Sequence, residues 1–258
     1  MKISTYNVNG IRAATKKGLA DWLKLEQPDV LCLQEIKAEA DQFPDELFTL
    51  GYEFFIHPAE KKGYSGVAVL TKTMPVKSTV GMGIDWVDAE GRVLTVEFEH
   101  LRVVSVYAPS GTTGDERQAV KMRFLEVFKT WMDTLTADGK PTVFCGDINI
   151  AHTEIDIHNP VSNKNSSGFL PEERAWFTSM LESGYEDVFR ALHPGEKDVY
   201  SWWTVRANAK ANNKGWRIDY QIATKGLSAK ASDARITRDL DLSDHVPVTV
   251  TYTVDGRP

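Results

Sequence analysis

Cysteine, long apolar runs and targeting segments are all scarce in this sequence. Cys32 and Cys145 are the only two cysteines among 258 residues, and each lies inside an apolar run. Neither has a second Cys or His at zinc-ligand spacing, so we expect two buried thiols in a reducing compartment rather than a disulfide or zinc site. No apolar stretch approaches the ~20 residues of a membrane span, and the N-terminus lacks a secretory pattern. These absences predict a cytoplasmic protein that does not contact a membrane.

Excess positive charge is also missing, because 30 Lys and Arg stand against 36 Asp and Glu, a net charge of −6. Nucleic-acid binding proteins usually carry excess base, so the total argues weakly against such a partner. Locally the balance reverses, since residues 205–217 hold four basic side chains, a Trp and no acid. Acidic residues gathered around a divalent cation would also lower the net charge without opposing phosphate binding.

No low-complexity tract or Pro/Gly/Ser-rich linker divides the chain, so we expect one domain over residues 1–258 and a monomer. Short β-type runs alternate with a few amphipathic helices whose aromatic stripes we assign to the core. Strands are predicted over Lys2–Val8, Asp29–Gln34, Ser65–Thr71, Val93–Glu99, Leu101–Tyr107, Thr142–Gly146, Arg217–Thr224 and Val246–Val254, with a tight hairpin between the fourth and fifth. Helices are predicted over Thr15–Glu26, Asp115–Leu135 and Pro171–Leu181.

An internal echo links residues 3–10 with residues 143–150. Each segment is a β-type run that ends in an Asx-x-Asn triplet, Asn7 to Asn9 in the first and Asp147 to Asn149 in the second. The echo favours two similar sheet halves, as in a β-sandwich flanked by helices.

Polar residues end or interrupt apolar strand patterns at five places. Read singly, most of them are turn formers. Burying even one without a partner costs ~1–3 kcal/mol, so their repetition predicts a polar site where strand ends meet. The residues concerned are Asn7, Asn9, Glu35, Asp147, Asn149, Asp219, Asp244 and His245.

This set of residues matches metal-assisted phosphodiester hydrolysis. Glu35 and Asp244 offer the hard oxygen ligands that Mg²⁺ prefers. Asp147 or His245 could activate the attacking water, and the sequence leaves both open. A carboxylate fixes the tautomer of an imidazole, so Asp219 would orient His245. Neutral donors could bind the phosphate oxygens, and the candidates are Asn7, Tyr107 and Asn149.

Eight motifs in a fixed order carry a family resemblance over essentially the whole chain. They are the segments 6–13, 33–37, 63–68, 106–111, 145–152, 168–174, 215–220 and 242–247, which include Gly-Asp-Ile-Asn, Gly-Trp-Arg-Ile-Asp-Tyr and Ser-Asp-His-Val-Pro. On these motifs the sequence resembles the exonuclease III family of apurinic/apyrimidinic endonucleases. The resemblance implies an α/β fold, a four-layered α/β sandwich with two mainly antiparallel β-sheets packed face to face and flanked by helices.

The resemblance also implies a function and a set of site residues. It implies a DNA repair nuclease that hydrolyses the phosphodiester 5′ to an abasic site in duplex DNA, with Mg²⁺ as cofactor and Mn²⁺ as a substitute. The same chemistry could act as a 3′-5′ exonuclease or on blocked 3′ ends, and an enzyme that is mainly a 3′-5′ exonuclease is the alternative. The implied metal ligands are Asn7, Asn9, Glu35, Asp147, Asn149, Asp244 and His245, the catalytic residues are Tyr107, Asp147, Asn149, Asp219 and His245, and the walls of the abasic pocket are Trp202, Trp216 and Ile218.

The resemblance further implies DNA contacts, at Arg12, Lys37, Tyr64, Lys121, Asn163, Phe169, Arg174 and Arg206. Three positions depart from the pattern of some relatives: Ser110, Ser166 and Arg206. We hypothesise that Arg206 fills the gap left by a flipped nucleotide. His152 and Asp156 follow a motif but are expected to brace a loop. Competing hypotheses are a lipid phosphodiesterase, a general deoxyribonuclease, or a non-catalytic module, which should have lost a site residue.

Overall fold

The computed structural model describes residues 1–254 and shows two β-sheets with helices outside them. The strands are β1 (Lys2–Asn7), β2 (Val30–Gln34), β3 (Glu53–His57), β4 (Val67–Thr71), β5 (Lys77–Val80), β6 (Val93–Glu97), β7 (Arg102–Tyr107), β8 (Thr142–Asp147), β9 (Tyr185–Asp187), β10 (Asp219–Thr224), β11 (Ala231–Ile236) and β12 (Val248–Tyr252). The α-helices are α1 (Ile11–Lys16), α2 (Leu19–Glu26), α3 (Asp45–Phe48), α4 (Asp85–Asp88), α5 (Asp115–Thr136), α6 (Pro160–Asn163), α7 (Pro171–Glu182), α8 (Val188–Leu192) and α9 (Lys225–Ser228). Within this described range, no helix is long and apolar enough to cross a membrane.

The two sheets have the same architecture. Their strand orders are β11-β12-β1-β2-β4-β3 and β5-β6-β7-β8-β10-β9. Among the described strands, one neighbouring pair in each sheet is parallel, β1 with β2 and β7 with β8, and the other pairs are antiparallel. The central strands β1 and β8 therefore each lie between one parallel and one antiparallel partner. This equivalence confirms the two similar halves that the internal echo predicted.

Alternation of side chains along the strands produces the layers. Cys32 of β2 and Cys145 of β8 both point into the central core between the two sheets. Both are buried free thiols, as predicted. Leu31 faces the other way and packs with residues of α1 and α2. Phe144 likewise packs outward with α5 and α7. Helices, sheet, sheet and helices thus form a four-layered sandwich in which most strands are antiparallel.

Two predicted elements are corrected by the structure. The helix predicted over Thr15–Glu26 is divided, because Gly18 has a φ of 112° and separates α1 from α2. The hairpin between β6 and β7 is present, but it turns through four residues, with the Phe98 N–H donating to the Leu101 carbonyl at 2.7 Å. The helix breaks at Gly18 because glycine adopts a φ of 112° without the steric cost that other residues incur.

A buried ion network braces the loop behind the strand ends. The Arg217 guanidinium is fully buried and donates to Asp156 Oδ1 at 2.8 Å and to Asp187 Oδ2 at 2.7 Å. Arg190 donates to the same oxygen of Asp156 at 2.7 Å. Burial opposes ionisation, but Arg217 and then Arg190 outweigh it and hold the pKa of the Asp156 carboxyl well below its usual range. Asp156 has a bracing position, as expected.

Asp156→Asn is expected to lower the free energy of unfolding by about 3–5 kcal/mol, because it leaves two arginines short of a buried counter-charge. Urea unfolding at pH 7 measures this loss. The Asp156 contribution is complete above the unfolded carboxyl pKa and is lost as the pH falls through the lower folded value, so the difference from wild type should shrink below about pH 4. Asp21→Asn, which removes an exposed partner of Lys24, is the control and should change stability by less than about 0.5 kcal/mol. Equal losses in the two variants would contradict the bracing role.

Candidate active site

The ends of β1 and β8 meet at one edge of the sandwich and bring three predicted residues together. The Asn7 amide donates to Asp147 Oδ2 at 2.9 Å and to Glu35 Oε1 at 2.9 Å. Asn7 and Asp147 are buried, while Glu35 is partly open. Because Asn7 donates both amide hydrogens to carboxylates, it holds the two acids close to each other although the acids repel.

The two Asx-x-Asn triplets form equivalent turns. The Asn9 N–H donates to Asn7 Oδ1 at 3.0 Å, and the Asn149 N–H donates to Asp147 Oδ1 at 2.8 Å. Asn9 and Asn149 both have left-handed backbone, with φ values of 45° and 56°. Asn tolerates this conformation better than most residues, which explains why the echo ends in Asn in both halves.

Glu35 follows β2 in a strained conformation. Glu35 and Lys37 both have left-handed backbone, with φ values of 49° and 50°, and such strain costs ~1–3 kcal/mol per residue. The Lys37 ammonium lies 3.0 Å from Glu35 Oε2 and donates to the Asn9 side-chain oxygen. Strain of this kind concentrates at functional sites, and here it turns a carboxylate towards the strand ends.

His245 lies between two aspartates. Its Nδ1 is 2.9 Å from Asp219 Oδ2, and its Nε2 is 3.8 Å from Asp147 Oδ2. Burial disfavours the imidazolium, but Asp219 and then Asp147 and Asp244 outweigh burial and raise the pKa of His245 to about 10. Burial and the neighbouring Asp219 raise the pKa of Asp147 to about 7, although the His245 charge acts in the opposite direction. These neighbours favour the imidazolium form of His245, whose Nδ1 donates to Asp219 while Nε2 faces Asp147 without a hydrogen bond.

Glu35, Asp147 and His245 form a possible metal-binding group. One donor atom from each lies within 4.8 Å of the others. The carboxylate oxygens, with the nearby oxygens of the Asx turns, suit a hard divalent cation such as Mg²⁺, and a cation would offset the repulsion that raises the pKa of Asp147. Asp244 lies beside this group, and its carboxylate accepts from Asn9 at 3.0 Å and from the Trp202 indole at 3.1 Å.

Tyr107 ends β7 opposite Asp147 in the parallel register. Burial, Glu35 and then Asp147 raise the pKa of Tyr107 well above its ordinary value, so its phenol remains a hydrogen-bond donor. The buried Arg92 guanidinium lies 4.9 Å from the Tyr107 ring centroid and donates to the Tyr107 carbonyl at 2.9 Å and to the Tyr64 hydroxyl at 3.0 Å. Arg92 was missed from the sequence, because an isolated Arg before a strand carries no signal of such contacts.

The metal-binding group opens into a cavity of about 660 Å³. The three predicted pocket walls line this same cavity, and the Trp202 and Trp216 rings meet edge to face at 6.1 Å between centroids. A second cleft of about 810 Å³ lies on the other side of Asp244, but none of Glu35, Asp147 and His245 lines it. We therefore assign the site to the smaller cavity, where titratable groups and an aromatic wall meet.

The predicted DNA-contact residues divide into surface and buried groups. Arg12 and Lys37 line a basic cleft of about 410 Å³ with Lys16, and Arg206 is exposed on the loop beyond Trp202. The Asn163 amide donates to backbone carbonyls of its own turn, at His158 and Asn159. Arg12 and Arg206 are exposed, and Lys37 is half-buried.

Two predicted DNA contacts are corrected. Lys121 is fully buried, and its ammonium lies 2.6 Å from Glu173 Oε1, so it does not face the surface. Phe169 is 2% exposed and packs behind Trp216 and Ile218. The Arg174 guanidinium lies 4.4 Å from the Phe169 ring centroid and donates to the His152 carbonyl, which fixes its position. The burial of Lys121 did have a sequence signal, because positions 121, 124, 125, 128 and 132 share one helical face.

The fold and the strand-end cluster together define an α/β-sandwich hydrolase with a site for a divalent cation. The profile of the Endonuclease/Exonuclease/phosphatase family matches residues 4–245, and the chain belongs to that family. It is 41% identical over 255 residues to an exodeoxyribonuclease of Bacillus subtilis, covering 98% of this chain and all of that protein. It is 40% identical over 257 residues to the DNA repair nuclease APEX1 of Danio rerio, covering 98% of this chain and 83% of that protein.

Solved structures agree with these sequence matches. An AP endonuclease from Archaeoglobus fulgidus superposes with a TM-score of 0.90 at 30% identity, covering 98% of this chain and 100% of that one. The 3′ phosphatase NExo from Neisseria, bound to a product DNA hairpin, superposes with a TM-score of 0.90 at 28% identity, covering 98% and 100%. The predictions of the family, of the four-layered sandwich and of a hydrolytic nuclease are confirmed.

Proposed function

We propose that this protein is a Mg²⁺-dependent nuclease that hydrolyses the phosphodiester 5′ to an abasic site in duplex DNA, acting as a monomer. One observation carries the proposal: the cluster of Glu35, Asp147 and His245 opens directly into the cavity walled by Trp202 and Trp216. Hydrolytic groups and an aromatic wall are thus parts of one site. The names of the relatives, an exodeoxyribonuclease and a DNA repair nuclease, support the same substrate class.

The geometry supports a distinct role for each acid-base group. Glu35 and Asp147 would hold the metal, which supplies charge stabilisation at the phosphate when bound. His245 is held as an imidazolium by Asp219, so it cannot accept a proton at neutral pH, and it would donate from Nε2 to a phosphate oxygen. The carboxylate of Asp147, which faces the same cavity 3.8 Å from His245 Nε2, is then the better proton acceptor for the attacking water. The neutral phenol of Tyr107 would donate a further hydrogen bond.

The cavity supports selection of a sugar that lacks its base. Trp202, Trp216 and Ile218 line the cavity together with Asp147 and His245, and the His245 ring lies 6.4 Å from the Trp202 ring between centroids. An extruded abasic nucleotide avoids most of the unstacking cost and presents only its sugar to this wall, whereas an intact base would collide with the indoles. The shape of the cavity would thus discriminate an abasic nucleotide from an intact one, without a polar side chain that hydrogen-bonds to a base.

A duplex with a single tetrahydrofuran residue tests the proposal directly. We expect incision 5′ to the lesion with Mg²⁺ and none with EDTA. Absence of incision at any enzyme level would reject the proposal. The second candidate is an enzyme that works mainly as a 3′-5′ exonuclease, which is favoured by the exodeoxyribonuclease among the relatives. Faster digestion of an undamaged recessed 3′ end than incision of the tetrahydrofuran duplex would favour that candidate.

Glu35→Ala is expected to raise the Mg²⁺ concentration for half-maximal activity by about tenfold or more, because a carboxylate ligand is lost. Titration of the incision rate with Mg²⁺ measures this shift. Glu46→Ala removes an exposed acid on α3 and is the matched control. An unchanged Mg²⁺ midpoint in Glu35→Ala would contradict the assigned ligand role.

Arg206→Ala is expected to weaken binding of an abasic duplex about tenfold, because a guanidinium stacked in a vacated base position contributes ~0.5–2 kcal/mol as a cation–π contact. Lys214→Ala, on the same loop and also exposed, removes the same charge and should weaken abasic and undamaged duplexes alike. Fluorescence anisotropy in Ca²⁺ measures both. Equal affinity of wild type and Arg206→Ala for the abasic duplex would reject the gap-filling hypothesis.

A further inference from the structure

A buried ion pair lies directly beneath the proposed active site. The side chains of Lys121 on α5 and Glu173 on α7 are 1% and 0% exposed, and their charged atoms are 2.6 Å apart. Burial lowers the pKa of Lys121, and Glu173 opposes that shift. Buried ion pairs are often no more stabilising than apolar residues of the same volume, because desolvation offsets the attraction. Stability alone therefore does not account for a charged pair at this place.

Both residues of the pair form hydrogen bonds with segments that border the site. The Lys121 ammonium donates to the main-chain carbonyl of Asn149 at 2.7 Å. The Glu173 carboxylate accepts from the Gly168 N–H at 2.6 Å and from the Leu170 N–H at 3.0 Å. The pair thereby joins the turn that ends in Asn149 to the loop that passes under the aromatic wall.

The turn that ends in Asn149 and the loop that contains Gly168 are packed tightly against each other, so we expect them to move together. A Cβ atom at Gly168 would lie 2.9 Å from the Trp216 ring and 3.1 Å from the Asn149 carbonyl, so Gly168 packs against both residues. The Asn149 amide donates to the Ala108 carbonyl at 2.9 Å, so the side-chain orientation depends on where the main chain is held. A displaced Asn149 carbonyl would move the Asp147–Asn149 turn and the Gly168–Trp216 contact together.

We propose that Lys121 and Glu173 are positioning residues that hold the Asn149 turn in register with the Trp216 wall of the pocket. The inference rests on the proposed function, since it assigns the pair to turnover of the same substrate. Neither side chain reaches the cavity, so the pair acts through Asn149 and Gly168. Displacing a proposed catalytic group by ~1 Å can reduce turnover by about a hundredfold.

The double variant Lys121→Met/Glu173→Gln tests the proposal, because it removes both charges and leaves no unpaired buried ion. We expect kcat on the tetrahydrofuran duplex to fall about ten- to a hundredfold while KM changes less than about threefold. Amide hydrogen exchange in residues 147–151 and 166–170 should become faster, while thermal unfolding remains cooperative. Lys129→Met, which removes a part-exposed lysine paired with Asp133 on the same helix, is the matched control and should leave all readings unchanged.

The possible outcomes separate the two proposals. A folded double variant with wild-type kcat would overturn the positioning role while leaving the proposed function intact. Wild type that does not incise the duplex would overturn the proposed function. Hydrogen exchange then still tests the coupling of the two segments, and unchanged exchange in the double variant would overturn that coupling as well. Single Lys121→Met leaves Glu173 unpaired and should lose stability as well as kcat, so the double variant is the decisive one.

Discussion

Asp147→Asn is expected to lower kcat for incision of an abasic duplex by about a thousandfold or more, within the range that a lost general base and metal ligand produces. The substitution preserves the shape of the side chain but removes the carboxylate to which the Asn7 amide and the Asn149 N–H both donate. The affinity for duplex DNA should not weaken, because the variant has one negative charge fewer beside the phosphate. Single-turnover kinetics and anisotropy measure the two effects separately.

Controls distinguish this loss from a general disturbance. Asp45→Asn changes an exposed acid on α3 and should retain full activity. A kcat for Asp147→Asn within about tenfold of wild type would contradict the assignment of the proton acceptor. Because His245 was the other candidate base, His245→Gln should be compared. If His245→Gln lost kcat while Asp147→Asn retained it, His245 would be the proton acceptor instead of Asp147.

The strands predicted from the sequence are those with two neighbours. The central strands β1, β2 and β8 are buried on both faces, and each has β-branched, aromatic or other apolar residues that indicated a strand. The strands missed were β3, β5, β9 and β11, and each lies at an edge of its sheet. Edge strands pair on one side only and tolerate polar sequence, as β5 shows, whose four residues are all exposed. Their β conformation depends on a neighbour that the local sequence does not reveal.

The candidate site was predictable where a polar residue contradicts its local pattern. Asp219 was such a residue, because the strand predicted over Arg217–Thr224 places Asp in its interior, where strands rarely accept it; in the structure Asp219 is the first residue of β10. Supporting residues gave no such signal. The Ser201 hydroxyl donates to Asp219 Oδ2 at 2.7 Å and accepts the Asp219 N–H at 3.0 Å, yet a Ser before two Trp residues is unremarkable in sequence. Lys121 was misplaced although it shares the buried face of its helix, because a lysine is normally at the surface and its buried partner Glu173 is 52 residues away.

Asp219→Asn is expected to reduce kcat by about a hundredfold or more, because the imidazole of His245 loses the carboxylate that fixes its tautomer and charge. In wild type, Asp219 accepts from His245 Nδ1, which leaves Nε2 directed at Asp147. An Asn at this position cannot stabilise the imidazolium to the same degree. The pKa of His245 should therefore fall from about 10 towards its ordinary value.

The stability of the metal-free protein should report the same change. Because the folded pKa of His245 lies above its unfolded value of about 6.5, the stabilisation from its charge is complete below pH ~6.5 and is lost as the pH rises through about 10. Wild type should therefore exceed Asp219→Asn in unfolding free energy by a few kcal/mol at pH 6, and the gap should narrow towards pH 10. Urea unfolding across this pH range measures the gap. A constant difference would mean that Asp219 supports His245 by position alone, because only a difference in charge stabilisation can vary with the titration of the imidazole.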